Sequence, residues 1–169
     1  MTGSPRRKPN RLRGYDYSTP GTYFITVCSK NMDWIFWNVG ASIARPGSTS
    51  HYSLIGQVID EMIAEIPMRY PEISVDSYVI MPNHIHLLLT SCPEDNRRAM
   101  LAPTPDISVV VQQLKGAVTK KAGLPIWQKG FHDHVVRNEK SYWKIYEYIE
   151  NNPLKWELDS LNVWRNNNG

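Results

Sequence analysis

The order of strand-like and helix-like segments is the feature that most constrains the fold of this chain. Segments rich in β-branched and aromatic residues, typical of strands, lie at 22–30, 73–81, 84–90 and 131–138. Segments with apolar residues at helical spacing lie at 53–71, 107–123 and 139–152. The order is therefore strand, helix, strand, strand, helix, strand, and a final helix. It predicts an α+β fold, a ferredoxin-like βαββαβ antiparallel sheet with an added C-terminal helix.

Local signals mark the ends of these helices. Ser53 and Asp106 precede the first two helical segments, and both residue types are favoured as N-caps. Gly123 suits a C-cap, and Pro153 ends the last helix. Two loops are predicted between the elements, at 40–51 and 92–106.

Composition argues for one globular domain in a reducing compartment. The chain has 169 residues, 41% of them hydrophobic and 21% charged, which is enough for a sizeable core. No apolar run reaches the roughly 18 residues that a membrane span needs, and the basic start lacks an apolar signal segment. Two cysteines, Cys28 and Cys92, cannot form a disulfide framework. We therefore expect a cytoplasmic protein without a membrane partner.

The net charge of +3 is small, but the cations are unevenly distributed. Lys or Arg occupies five of the first thirteen positions, including Arg11 and Arg13. This segment is either a solvated tail or an arm that contacts a phosphate backbone. The predicted organisation is a basic N-terminal arm at 1–14, one domain at 15–158 and a C-terminal tail at 159–169.

Two histidines stand one residue apart in the third predicted strand, within the stretch MPNHIHLLLT. Side chains alternate across a strand, so Ile85 and Leu87 face the helix-packed core. His84 and His86 then share the other face, which we expect to stay open. Two neighbouring imidazoles can converge on one metal ion, and the alternative is that ordinary hydrogen bonds satisfy them. A metal site would need a further ligand from elsewhere.

The last predicted helix offers a candidate nucleophile. At 100° per residue, its apolar stripe consists of Tyr142, Ile145, Tyr146 and Ile149. Tyr148 lies instead on the polar side with Lys144 and Lys155, and Asn152 follows it by one turn. A tyrosine hydroxyl can attack a phosphodiester to form a phosphotyrosine, with a divalent ion polarising the phosphate. The alternative for Tyr148 is an ordinary surface aromatic.

Taken together, these motifs resemble a known family. VIMPNHIHLLL, followed by VVRNEKSYWKIYEYIENNPLKWEL, is similar to the single-tyrosine HUH transposases, where HUH means His-hydrophobic-His. RLRGYDYSTPGTYFITVCSKN resembles the REP-associated tyrosine transposases, a branch encoded by bacteria. The likeness runs from about Arg11 to Leu158, interrupted by the two loops.

The resemblance implies an enzyme that cleaves and rejoins single-stranded DNA near hairpins. It implies a 5′-phosphotyrosine intermediate, a divalent metal ion (Mg²⁺ or Mn²⁺) and no nucleotide cofactor. His84 and His86 match the metal histidines, Tyr148 matches the nucleophile, and Asn152 matches the polar residue that completes the metal site. The partner would be single-stranded or hairpin DNA, which would associate the protein with the nucleoid. Both a monomer and a homodimer stay open.

Several further residues are candidates for DNA contact, and two other functions stay open. The candidates are Arg11, Arg13, His134, Arg137, Lys144 and Lys155. A structural role is the alternative for His134. One alternative function is a metal-dependent phosphodiesterase that activates water and uses Tyr148 only to position the substrate. The other is a domesticated protein that binds DNA hairpins without cleaving them.

Overall fold

The computed structural model describes residues 14–38, 51–91 and 105–162. Its centre is an antiparallel sheet of four strands in the order β2-β3-β1-β4. The strands are β1 (Gly21–Cys28), β2 (Ile73–Ile80), β3 (His84–Ser91) and β4 (His132–Val136). The α+β fold with a ferredoxin-like sheet is confirmed. The basic arm and most of the two predicted loops lie outside the described residues.

Four α-helices accompany the sheet within the described ranges. They are α1 (Leu54–Ala64), α2 (Ile66–Arg69), α3 (Ile107–Ala122) and α4 (Glu139–Asn151). The single helix predicted over 53–71 is wrong, because the chain divides it at Glu65. Pro67 is the reason, since it lacks the N–H that would bond the carbonyl of Ile63. None of the helices in the described ranges is long and apolar enough to cross a bilayer.

The predicted helix ends are confirmed by their hydrogen bonds. Ser53 Oγ accepts a 3.1 Å bond from the Gly56 N–H, and Asp106 Oδ1 accepts a 2.6 Å bond from the Ser108 N–H. Such N-caps each contribute about 1 kcal/mol. Gly123 ends α3 with a φ of 73°, a left-handed conformation that favours glycine.

One face of the sheet packs against α1 and α3. Tyr78 on β2 pairs with Leu87 on β3, and its hydroxyl donates a 2.7 Å hydrogen bond to Asp60 on α1. Leu87 and its neighbours of the same parity therefore lie under these helices. The core on this face includes Tyr23, Ile25, Val27, Ile59, Ile63, Ile85, Leu87, Leu89, Val111 and Val118, all fully buried.

The opposite face is covered by α4. Ser77 pairs with Leu88 on that face and donates a 3.0 Å hydrogen bond to Glu150 of α4. The same face carries His84 and His86, which are 0% and 3% exposed. The expectation that the two histidines lie on an open face is therefore wrong. The helix that carries Tyr148 is itself the cover.

Few apolar contacts hold α4 on the sheet. Ile149 is the one fully buried residue of the helix, and its burial contributes about 2–3 kcal/mol. The rest of the predicted apolar stripe is half-buried against the core. Polar links add to it, including a 3.2 Å hydrogen bond from the Tyr142 hydroxyl to Asp76 on β2.

The chain turns back on itself after α4. A 3₁₀ helix at Pro153–Leu158 follows directly, and Asn152 between them is helical with φ −59° and ψ −43°. A residue before proline usually avoids this conformation. Here Pro153 starts a new helix, a position where its missing N–H costs little. The turn returns residues 159–162 to the sheet, and the Leu161 carbonyl accepts a 2.8 Å hydrogen bond from Asn83.

Candidate active site

His84 and His86 lie side by side at the start of β3, as their alternation predicts. Their ring centroids are 4.6 Å apart. The Nδ1 atom of each ring has a fixed partner: Asn83 Oδ1 lies 2.8 Å from that of His84, and Thr26 Oγ1 lies 2.8 Å from that of His86. Hydrogen bonds at Nδ1 orient imidazoles that bind metal through Nε2. The two Nε2 atoms are thus left for another partner.

Both imidazoles are neutral at physiological pH. Burial lowers the pKa of His84 and of His86 to about 3, from an ordinary value of 6.5, because the charged form is poorly solvated. The nearby His84 lowers the pKa of His86 further. A neutral imidazole keeps a lone pair for a metal ion. Within the described residues, His84 Nε2 has no hydrogen-bond partner.

Asp159 brings a carboxylate to these nitrogens. Its Oδ2 lies 3.8 Å from His84 Nε2, and its side chain is only 4% exposed. The candidate ligand atoms of His84, His86 and Asp159 all lie within 4.8 Å of one another. Two imidazole nitrogens and one carboxylate oxygen form a donor set that suits a divalent transition metal. The unpartnered nitrogen and the converging atoms therefore fit a metal ion.

Tyr148 on α4 reaches the same point. Its hydroxyl lies 3.4 Å from His86 Nε2, and its ring stands edge-on to Phe24 of β1 at 6.1 Å between centroids. The side chain is 45% exposed. Burial raises the pKa of the phenol, and the charge of Asp159 raises it further. Burial and the Asp159 charge thus favour the protonated hydroxyl.

A surface cleft of about 300 Å³ lies beside Tyr148. Its lining residues are Tyr148, Asn152, Lys155, Leu158, Asp159 and Ser160. Asn152 is 2% exposed, and its Nδ2 has no hydrogen-bond partner in the described part of the chain. The nearby Asn152 amide lowers the pKa of the Tyr148 hydroxyl, against the larger effect of burial. Asn152 as a metal ligand stays a prediction.

Of the predicted DNA-contact residues in the described ranges, Lys155 belongs to this cleft, and His134 and Arg137 belong to a separate one. Lys144 is exposed on α4 one turn before Tyr148. His134 pairs with Phe24 and so shares a face with His86. Arg137 is exposed beyond β4, beside a separate cleft at the start of α4. Each role in DNA contact stays a prediction, and Arg11 and Arg13 are outside the described ranges.

Sequence reasoning did not identify Asp159, Thr26 or Asn83 as parts of the site. Asp159 fell in the predicted tail, and no spacing motif links it to His84. Thr26 reaches His86 only through the pairing of β1 with β3. Asn83 had one signal, its place immediately before the histidine pair in a Pro-Asn turn. Polar residues next to metal histidines often orient them.

Known proteins resemble this chain over most of its length, although no protein-family model matches it. An uncharacterized protein of Haemophilus influenzae is 33% identical over 178 residues, which cover 95% of this chain and 96% of that protein. The REP-associated tyrosine transposase of Escherichia coli K12 is 26% identical over 140 residues, 82% of this chain and 70% of the relative. The solved structure of a REP-associated tyrosine transposase bound to a REP hairpin matches with a TM-score of 0.59 and 25% identity, covering 86% of this chain and 73% of that one.

Proposed function

Because this chain belongs to the single-tyrosine transposase family, we propose that it cleaves and rejoins single-stranded DNA beside hairpins through a 5′-phosphotyrosine. Homology to tyrosine transposases supports a DNA-processing function of this type. The observation that carries the finer proposal is the Tyr148 hydroxyl. It lies 3.4 Å from His86 Nε2, on a side chain that lines a surface cleft.

Tyr148 is the proposed nucleophile. As its Oη forms a bond to phosphorus, the bond between phosphorus and the 3′ oxygen breaks. The phenol proton leaves to the solvent of the cleft, and the departing 3′ oxygen takes a proton to become a hydroxyl. Rejoining reverses these changes with a 3′-hydroxyl as the attacking group. No ATP is required, because the phosphotyrosine conserves the energy of the broken ester.

The proposed metal ligands are His84, His86 and Asp159, with the Asn152 amide as a further predicted ligand. When bound, a divalent ion supplies polarisation of a phosphate oxygen and neutralises charge. Nitrogen ligands favour Mn²⁺ over Mg²⁺, which prefers oxygen. His84 and His86 hold their nitrogens in place through Asn83 and Thr26, so the site is oriented before substrate arrives.

Cations near the cleft support a DNA substrate. Lys155 lines the cleft, Lys144 is exposed on α4 one turn before Tyr148, and Arg137 is exposed beside the separate cleft at the start of α4. Such residues attract phosphates without reading sequence. The transposase in the similar solved structure is bound to a REP hairpin. We therefore propose that hairpin DNA with a single-stranded flank is the substrate class.

A covalent adduct tests this function. The full chain is incubated with Mn²⁺ and an end-labelled hairpin carrying a single-stranded flank, and the products are separated on a denaturing gel. Wild-type protein and Tyr146→Phe should both form an adduct, which mass spectrometry should locate on Tyr148. Tyr148→Phe should lose cleavage and adduct while still binding DNA.

Other outcomes identify the alternatives. Cleavage without an adduct would support a phosphodiesterase that activates water. Tight hairpin binding without cleavage at any metal concentration would support a binding protein instead. An adduct on Tyr142 or Tyr146 would overturn the assignment of the nucleophile.

A further inference from the structure

One buried amide, that of Asn83, connects three separate segments of the site. Its side chain is fully buried, at 0% exposure. Nδ2 donates to the carbonyl of Met32 at 3.3 Å and to the carbonyl of Leu161 at 2.8 Å. Oδ1 lies 2.8 Å from His84 Nδ1. The amide thereby links the turn after β1, the start of β3 and the segment that carries Asp159.

This arrangement determines which nitrogen of His84 carries the proton. Carbonyl oxygens only accept, so the atom of Asn83 that faces Met32 and Leu161 must be its NH₂ group. The atom that faces His84 is then the amide oxygen, which also only accepts. His84 Nδ1 must therefore be protonated and donate to it. In the neutral ring, Nε2 is left as a bare lone pair on the side of Asp159.

We propose that Asn83 is a positioning residue that sets the His84 tautomer and, through Leu161, holds the Asp159 segment against the histidines. The inference rests on the proposed metal centre for its functional meaning, but the tautomer is a property of the metal-free protein. Because one amide contacts both segments, a single side chain positions His84 Nε2 relative to the Asp159 carboxylate.

The local backbone supports a dedicated role for this amide. Asn31 and Met32 both have positive φ, at 57° and 60°, which is unfavourable for side chains such as methionine. This turn presents the Met32 carbonyl to Asn83. Leu161 also contacts Asp159 directly, because its N–H donates a 2.7 Å hydrogen bond to Asp159 Oδ1. A change at Leu161 is thus transmitted directly to Asp159.

Two substitutions at Asn83 separate the two tasks. Asn83→Asp keeps an acceptor for His84 Nδ1 but places a carboxylate against two carbonyls, so the tie to Leu161 is lost. Asn83→Leu removes the acceptor as well. The His84 proton is then expected to move to Nε2, where the Asp159 carboxylate attracts it. Asn162→Leu is the matched control, since Asn162 is a buried amide of the same segment that donates to the Trp156 carbonyl.

Nuclear magnetic resonance of the full, metal-free, ¹⁵N-labelled chain tests the proposal. The ring nitrogen signals report the tautomer of each histidine, and hydrogen exchange of the Leu161 backbone amide reports how firmly that segment is held. His84 should be protonated at Nδ1 in wild type, Asn83→Asp and Asn162→Leu. It should be protonated at Nε2 in Asn83→Leu. The Leu161 amide should exchange faster in Asn83→Asp than in wild type. Calorimetry should show Mn²⁺ binding weakened at least about tenfold in Asn83→Leu.

The two roles proposed for Asn83, setting the His84 tautomer first and holding the Asp159 segment second, can each be refuted separately. A wild-type His84 protonated at Nε2, or an unchanged tautomer in folded Asn83→Leu, would overturn the first role. Unchanged Leu161 exchange in Asn83→Asp would overturn the second role, and that variant decides it even if Asn83→Leu does not fold. Absence of Mn²⁺ binding by wild type would refute the proposed metal centre while the tautomer result still stands.

Discussion

His84 Nε2 and Asp159 Oδ2 face each other across 3.8 Å, and both side chains are buried. This distance exceeds that of a hydrogen bond, so neither atom satisfies the other. A buried carboxylate beside an unprotonated nitrogen is costly without a cation. A divalent ion bound between these two atoms would offset this cost.

Asp159→Asn should weaken Mn²⁺ binding by at least about tenfold, because the change removes the one negative charge of the donor set. Isothermal calorimetry on the full chain measures the affinity. Asp133→Asn is the matched control, since that carboxylate lies on β4 and accepts a 2.8 Å hydrogen bond from the Tyr17 hydroxyl. Equal Mn²⁺ affinity in wild type and Asp159→Asn would remove Asp159 from the metal site.

The role of Asn152 can be separated from that of its neighbour. If the Asn152 amide binds the metal, Asn152→Leu should weaken Mn²⁺ binding, and Asn152→Asp should restore or strengthen it. Asn151→Leu is the control, because Asn151 is exposed and donates to the Glu147 carbonyl within α4. If Asn152→Leu and Asn151→Leu bind Mn²⁺ with the same affinity, Asn152 is not a ligand.

Acid should destabilise the metal-free protein through the two buried histidines. Their pKa values fall from 6.5 in the unfolded chain to about 3 in the fold. Above the unfolded pKa both states are neutral, and the stability is fully present. As pH falls from about 6.5 towards 3, the unfolded state binds protons first, so stability is lost at about 1.4 kcal/mol per pH unit for each histidine.

Denaturant titrations at several pH values with a chelator present measure this loss. In His86→Gln, the slope of unfolding free energy against pH between 6.5 and 4 should be shallower than in wild type. The carboxylates titrate in both proteins, so their contribution to the slope cancels when the two slopes are compared. The same slope in both proteins would show that His86 does not remain neutral in the fold.

DNA binding should prefer a hairpin with a single-stranded flank over a blunt duplex. Affinity should fall steeply with salt, because phosphate contacts release counterions. Lys155→Gln should weaken binding and reduce the salt slope by about one, since Lys155 lines the Tyr148 cleft. Lys120 is exposed on α3, so Lys120→Gln should leave the DNA affinity and the salt slope unchanged. Gel-shift competition that favoured the duplex would contradict the proposed substrate.

Local periodicity was sufficient to predict much of this protein. The two-residue repeat of a strand placed His84 and His86 on one face, and the helical repeat placed Tyr148 apart from Tyr142 and Tyr146. These relationships depend only on the geometry of one element, so the sequence determines them. The helix caps followed from the chemistry of single side chains.

Contacts between distant segments were decided by the tertiary structure. Periodicity did not indicate that α4 would cover the histidines, and only the family resemblance brought Tyr148 and Asn152 to them, because the cover depends on packing between elements far apart in the chain. Asp159 was placed in a tail for the same reason: only the turn through Pro153–Leu158 returns it to His84. Alternation along a strand determines on which side a residue lies, but packing determines what it meets there.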